Sequence, residues 1–77
     1  MGRKFAGIDV ARRASEVILG IMNERKWSKT EMARQLGTTR YVIYLWLEGL
    51  TSPDVPSLQK IHALGGDILY IVTGERR

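Results

Sequence analysis

The segment from residue 28 to residue 49, SKTEMARQLGTTRYVIYLWLEG, constrains the fold more than any other part of the chain. Ser28 is placed to cap a first helix, and Glu31, three residues later, completes the pattern of a capping box. Gly37 follows that helix and can adopt the left-handed conformation that ends it. Thr39 is placed to cap a second helix. The spacing therefore predicts two short helices that are joined by a tight turn.

The second helix of this pair has two unlike faces. We predict it over residues 40–48, with an apolar stripe toward the core that consists of Ile43, Trp46, Leu47 and Leu50. At about 100° per residue, the opposite face carries Tyr41, Tyr44, Leu45 and Glu48, with Arg40 and Val42 at its margins. An exposed apolar strip of this kind usually marks a contact surface. A helix pair with a turn of about three to four residues is the helix-turn-helix, whose second helix enters the major groove of DNA.

The rest of the chain reads as helices and loops. No segment of strand length alternates cleanly between apolar and polar residues, so we predict no strand. The sequence therefore predicts an all-α fold of five helices, with a single domain over residues 9–77. The expected order is a flexible arm over residues 1–8, a long helix from about 9 to 26, the helix pair, a loop over 50–55, a helix from Pro56 to the Gly65-Gly66 break, and a last short helix capped by Asp67.

Positive charge is unevenly distributed along the chain. The formal net charge is +4. Residues 1–40 hold nine Lys or Arg against four Asp or Glu, whereas residues 41–77 hold three against four. This excess in the first half is typical of a surface that meets phosphates, and its alternative is an ordinary solvated surface.

The helix pair resembles the helix-turn-helix of the Cro/C1-type (XRE family) phage and bacterial regulators through Ala33, Gly37, Thr39, Ile43, Trp46 and Gly49. The resemblance continues through Pro56-Ser57-Leu58, the Gly65-Gly66-Asp67 break and the ending over residues 69–76, which are similar to the last two helices of phage repressor DNA-binding domains. It implies a five-helix, lambda-repressor-like domain. It also implies a transcriptional regulator that binds double-stranded DNA sequence-specifically, as a homodimer on a pseudo-palindromic operator.

The candidate contact residues lie at the starts of the two motif helices. The resemblance makes Lys29 a phosphate contact, at a position where the family usually has Gln. The family's recognition helix usually begins with small polar residues, whereas this one begins with aromatic and aliphatic ones. The predicted DNA-binding set is Ser28, Lys29, Thr39, Arg40, Tyr41, Val42, Tyr44 and Leu45. The candidate dimer surface on the last helix consists of Ile68, Tyr70 and Ile71.

Other chemistries find little support in the sequence. The chain has no Cys, and its one histidine, His62, has no nearby nucleophile or second metal ligand, so we predict no metal, no cofactor and no enzyme activity. No apolar run approaches the roughly 20 residues that cross a bilayer, and we expect a cytoplasmic protein without membrane contact. Two alternatives stay open. One is a protein-interaction module that uses the strip of Tyr41, Tyr44 and Leu45 on a protein partner, and the other is an antitoxin that binds both DNA and a toxin.

Overall fold

The computed structural model describes residues 6–76, and their side chains from residue 9 onward. Within these residues it contains helices and no strand, which confirms the predicted all-α fold. The first helix begins at Ala6, three residues earlier than predicted, so the expected arm over residues 1–8 is too long and only residues 1–5 of it lie outside the described part. The helices are α1 (Ala6–Arg25), α2 (Lys29–Leu36), α3 (Arg40–Leu47), α4 (Val55–Ala63) and α5 (Ile68–Thr73).

Each of the four shorter helices begins at a residue whose side-chain oxygen accepts a backbone N–H three residues later, at 3.0–3.2 Å. Each cap thus satisfies one of the backbone N–H groups that have no partner within the helix. The capping residues are Ser28, Thr39, Asp54 and Asp67. The second half of the predicted capping box does not form. The Glu31 carboxylate instead accepts hydrogen bonds from the Arg34 guanidinium at 2.6 Å and the Gln35 amide at 2.7 Å, which are its neighbours one turn along α2.

The core lies where α1 packs on α3 and α5, and where α2 packs on α3 and α4. Trp46 is 5% exposed and Ile43 is completely buried, as the predicted stripe requires. Leu50, which the same stripe included, is 64% exposed. The assignment of Leu50 to the core is wrong because α3 ends at Leu47 and Gly49 turns the chain with a φ of 72°. The buried cluster consists of Ala14, Ile18, Ile21, Met22, Met32, Ala33, Leu36, Ile43, Trp46, Ile61 and Ile71.

Three basic side chains bind backbone carbonyl oxygens at the C-terminal ends of other helices. Such ends carry unpaired carbonyl groups and a partial negative charge, so a cation placed there stabilises the packing of the two helices. The pairs are Arg13 Nε with the Ile71 oxygen at 3.1 Å, Arg25 Nη2 with the Leu64 oxygen at 2.9 Å, and Lys60 Nζ with the Leu36 oxygen at 3.4 Å.

Candidate nucleic-acid interface

The turn between α2 and α3 fixes the relative placement of the two helices. Gly37 adopts the left-handed conformation, with φ 68° and ψ 35°, as the sequence predicted. Its N–H donates to the Arg34 oxygen at 3.3 Å, and the Thr38 N–H donates to the Ala33 oxygen at 2.9 Å. Together these bonds form a Schellman motif, which closes α2. The chain then begins α3 after only two more residues, capped by Thr39.

The outer face of α3 is dominated by two aromatic rings. Tyr41 is 67% exposed and Tyr44 is 43% exposed. Their ring centroids lie 6.1 Å apart and their planes differ by 25°, so the two rings stack on each other. Val42 and Leu45 are half-buried, and Val42 packs partly against the core. The exposed part of the predicted strip is therefore the tyrosine pair, with smaller contributions from its aliphatic members.

Lys29, Arg40, Tyr41 and Tyr44 line one shallow surface depression. The fold thus brings together the first residue of α2 and the first two turns of α3. Ser28 and Thr39 flank these residues, and their hydroxyl oxygens are used as helix caps. Each hydroxyl keeps its O–H as a donor for an outside acceptor. The eight residues of the predicted DNA-binding set accordingly lie at the start of α2, on the first two turns of α3, or at the caps of these helices.

Fewer of the basic side chains of residues 9–40 are free to contact a phosphate than their number indicates. Within residues 9–40, four of the seven basic side chains have partners in the protein: Arg12 with Asp9, Arg34 with Glu31, and Arg13 and Arg25 with carbonyl oxygens. The side chains of Lys26, Lys29 and Arg40 form no such ion pair or hydrogen bond in the described part of the chain. The cations available to phosphates therefore lie directly after α1, at Lys26, and at the first residue of each motif helix, Lys29 and Arg40.

Hydrogen bonds also keep the carboxylate of α2 ionised. The Arg34 guanidinium, and after it the Gln35 amide, hold the pKa of the Glu31 carboxyl below its usual value. The resulting pair places opposite charges side by side on an exposed surface of α2. Arg34 is thereby a poorer candidate for a phosphate contact than Lys29.

The candidate dimer surface on α5 requires a correction. Ile71 is completely buried in the core, so its assignment to a surface that contacts a second subunit is wrong. Ile68 is half-buried and packs against the core. The Tyr70 hydroxyl donates a hydrogen bond to the Glu16 carboxylate, and the Arg76 guanidinium lies 3.7 Å from the centroid of the Tyr70 ring. The exposed apolar side chains of α5 are instead Leu69 and Val72, at 42% and 52%.

In the part of the chain that the structure describes, no group of three or more His, Cys, Asp or Glu side chains could hold a metal ion. None of the described helices is long and apolar enough to cross a membrane. His62 is exposed on α4.

Comparison of the chain with protein-family models, with curated proteins and with solved structures gives no match. The likeness to Cro/C1-type regulators thus stays a prediction from the sequence. The surface formed by the start of α2 and the first two turns of α3 is therefore the feature from which a function can be inferred.

Proposed function

We propose that this protein binds double-stranded DNA sequence-specifically, with α3 in the major groove, and that it acts as a transcriptional regulator. The observation that carries the proposal is the depression lined by Lys29, Arg40, Tyr41 and Tyr44 at the outer face of a helix-turn-helix. It combines uncompensated cations with large, exposed aromatic rings on a helix whose other side is anchored in the core. Cations contact phosphates, and apolar or hydrogen-bonding side chains contact base edges.

The parts of the surface have different roles in this proposal. Lys29 begins α2, where free backbone N–H groups and the helix dipole also favour an anion, so it binds a phosphate. Arg40 begins α3 and can donate in pairs, either to a phosphate or to O6 and N7 of guanine. Tyr41 and Tyr44 lie on the first two turns of α3, which in a helix-turn-helix approach the base edges.

The resemblance to phage repressors extends the proposal to assembly and location. We propose a homodimer on a pseudo-palindromic operator, with half-sites about 34 Å apart, one turn of the double helix. Leu69 and Val72 are the apolar side chains that α5 offers for such a contact. We further propose a cytoplasmic binding protein rather than an enzyme, in keeping with a regulator of the phage or bacterial type.

A protein partner is the second candidate, and the stacking of Tyr41 on Tyr44 favours it. Tyr and other aromatic residues are enriched at protein–protein interfaces, and this pair is exposed. An antitoxin would combine both uses of the fold. The two kinds of partner differ in electrostatics, because binding to phosphates releases counterions whereas an apolar protein contact does not.

The test is a titration of duplex DNA at several salt concentrations. Each neutralised phosphate contributes about −0.9 to the slope of log affinity against log salt concentration. The three available cations of the described residues give about −2.7 per protomer, and Arg3 and Lys4, if they also contact phosphates, bring the slope to about −4.5. Deleting residues 1–5 should therefore reduce the slope by nearly two.

The matched control is Arg25→Gln. Arg25 binds the Leu64 carbonyl oxygen, and the amide of Gln keeps a donor for it, so the slope should not change. Affinity that does not respond to salt would contradict DNA binding and favour the protein partner.

A further inference from the structure

The hydrogen-bonding groups on α3 are unusually few for a helix that reads bases. Residues 40–47, RYVIYLWL, contain no Asn or Gln, the side chains that pair with adenine in the major groove. Arg40 is the one residue of α3 that can donate two parallel hydrogen bonds. Apart from Arg40 and the two phenol hydroxyls, the outer face of α3 offers hydrocarbon surface.

The hydrocarbon surface has a definite shape. Tyr41 and Tyr44 are three residues apart, on one side of α3, and their stacked rings form one exposed aromatic patch over the first two turns. Lys29 and Arg40 border the same depression and supply the positive charge that complements a phosphate backbone. If the cations bind phosphates, the aromatic patch is the part of the surface that remains to contact the base edges in the groove.

One apolar group in the major groove matches such an aromatic patch. Thymine presents a C5-methyl group there, and the unmodified edges of the other three bases are polar. The C5-methyl of 5-methylcytosine projects from the same position of the pyrimidine ring. An aromatic ring can remove this methyl group from water without an acceptor or a donor of hydrogen bonds.

We propose that Tyr41 and Tyr44 select thymine by packing their rings on its C5-methyl group, and that 5-methylcytosine satisfies the same contact where cytosine does not. The inference rests on the proposed DNA binding and specifies what α3 recognises. It predicts that each operator half-site has thymine at the positions that the two rings contact. Arg40 then recognises a guanine or a phosphate. Base selection then depends on shape and burial more than on a hydrogen-bond code.

The expected size of the effect follows from the burial of one methyl group. Burying a group of this size is worth about 0.8 kcal/mol, which corresponds to about fourfold in affinity. Loss of two contacted methyl groups should therefore weaken binding about 15-fold, if the two contacts are independent. Replacing thymine by uracil removes only the methyl group and preserves the Watson–Crick pair and the phosphates.

The experiment uses a duplex selected from a random pool with the full chain, and a set of copies in which each thymine in turn is replaced by uracil. Fluorescence anisotropy gives the dissociation constant of each copy. We expect about fourfold weaker binding at one or more thymines of each half-site. At the same positions, 5-methylcytosine should bind about fourfold more tightly than cytosine. Equal affinity for thymine and uracil at every position, with strong binding to the selected duplex, would overturn the inference and leave the proposed function standing.

Variants assign the effect to the rings. Tyr41→Ala and Tyr44→Ala should each bring the ratio of uracil to thymine dissociation constants close to one at its own position. Tyr41→Phe and Tyr44→Phe keep the ring and should keep the ratio. Both side chains are exposed, so melting temperatures should match that of the unmodified chain. A ratio that persists in the Ala variants, or that is lost equally in the Phe variants, would refute the role of the rings. Absence of binding to any duplex would refute the proposed function itself.

Discussion

Gly37→Ala should destabilise the turn between α2 and α3, and the structure gives the two causes of the change in the free energy of unfolding. Gly37 has a φ of 68°, a conformation that costs a residue with a Cβ about 1–2 kcal/mol. An added Cβ would lie 2.7 Å from Lys60 Nζ, which donates to the Leu36 oxygen at 3.4 Å. The ammonium group must then move away, and the helix end loses a bond worth about 0.5–1.5 kcal/mol.

The conformational entropy of the unfolded chain opposes this loss of stability. Alanine has less freedom than glycine in the unfolded chain, which favours folding of the variant by about 0.4–1 kcal/mol. The balance is a destabilisation of about 1–2 kcal/mol for Gly37→Ala. For a domain of this size that lowers the melting temperature by roughly 5–15 °C.

A double-mutant cycle separates the backbone strain at residue 37 from the contact with the Lys60 ammonium group. Thermal and urea denaturation should be measured for Gly37→Ala, Lys60→Ala and the double variant. With the Lys60 ammonium absent, Gly37→Ala should cost only the backbone contribution, about 1 kcal/mol. Equal effects of Gly37→Ala in both backgrounds would refute the contact with Lys60. A variant as stable as the unmodified chain would refute the left-handed turn.

Three further outcomes follow from the fold and the candidate interface. Trp46→Ala should cost about 3–5 kcal/mol, a large part of the roughly 4–12 kcal/mol expected for such a domain, and a near-normal urea midpoint would contradict its burial. Hydrogen bonds hold the pKa of the Glu31 and Asp54 carboxyls below their usual values. The stability that these carboxylates give to the fold is therefore present at neutral pH and is lost as the pH falls below roughly 4, which acid titration of the circular dichroism signal measures. Lys29→Ala should weaken binding to all duplexes alike and lower the salt slope by about one. Tyr41→Ala should weaken binding to the selected site by about 1–3 kcal/mol more than binding to scrambled DNA. Anisotropy titrations on the selected and the scrambled duplex distinguish the two effects.

Local signals in the sequence were sufficient for most of the fold. Ser28 and Thr39 cap helices through atoms only three residues away, so the pattern of the sequence contains the whole interaction. Trp46 and Ile43 were placed correctly because the helical period decides which side of α3 they face. The partner of the Glu31 carboxylate was predicted wrongly, because Arg34 and Gln35 lie one turn away on the same helix and donate hydrogen bonds to it.

Features that depend on distant residues could not be predicted in the same way. Arg13 binds the Ile71 oxygen 58 residues along the chain, so the sequence alone could not show that this charge is directed into the fold. The exposed side of α5 was misjudged because six residues are too few for a helical period to orient Ile71 against Val72. Both errors concern surfaces, where tertiary packing decides which side chains remain available to a partner.

The most direct test of the central claim is a titration of the ¹⁵N-labelled chain with the selected duplex, followed by NMR. If α3 reads the major groove, the amide signals of Lys29 and of residues 39–45 should shift most, and those of α5 should change only through dimer formation. A scrambled duplex should shift the Lys29 signal while leaving the signals of Tyr41 and Tyr44 much less affected. Shifts confined to α1 or α5, or no shifts at all, would contradict the claim that this protein binds DNA through α3.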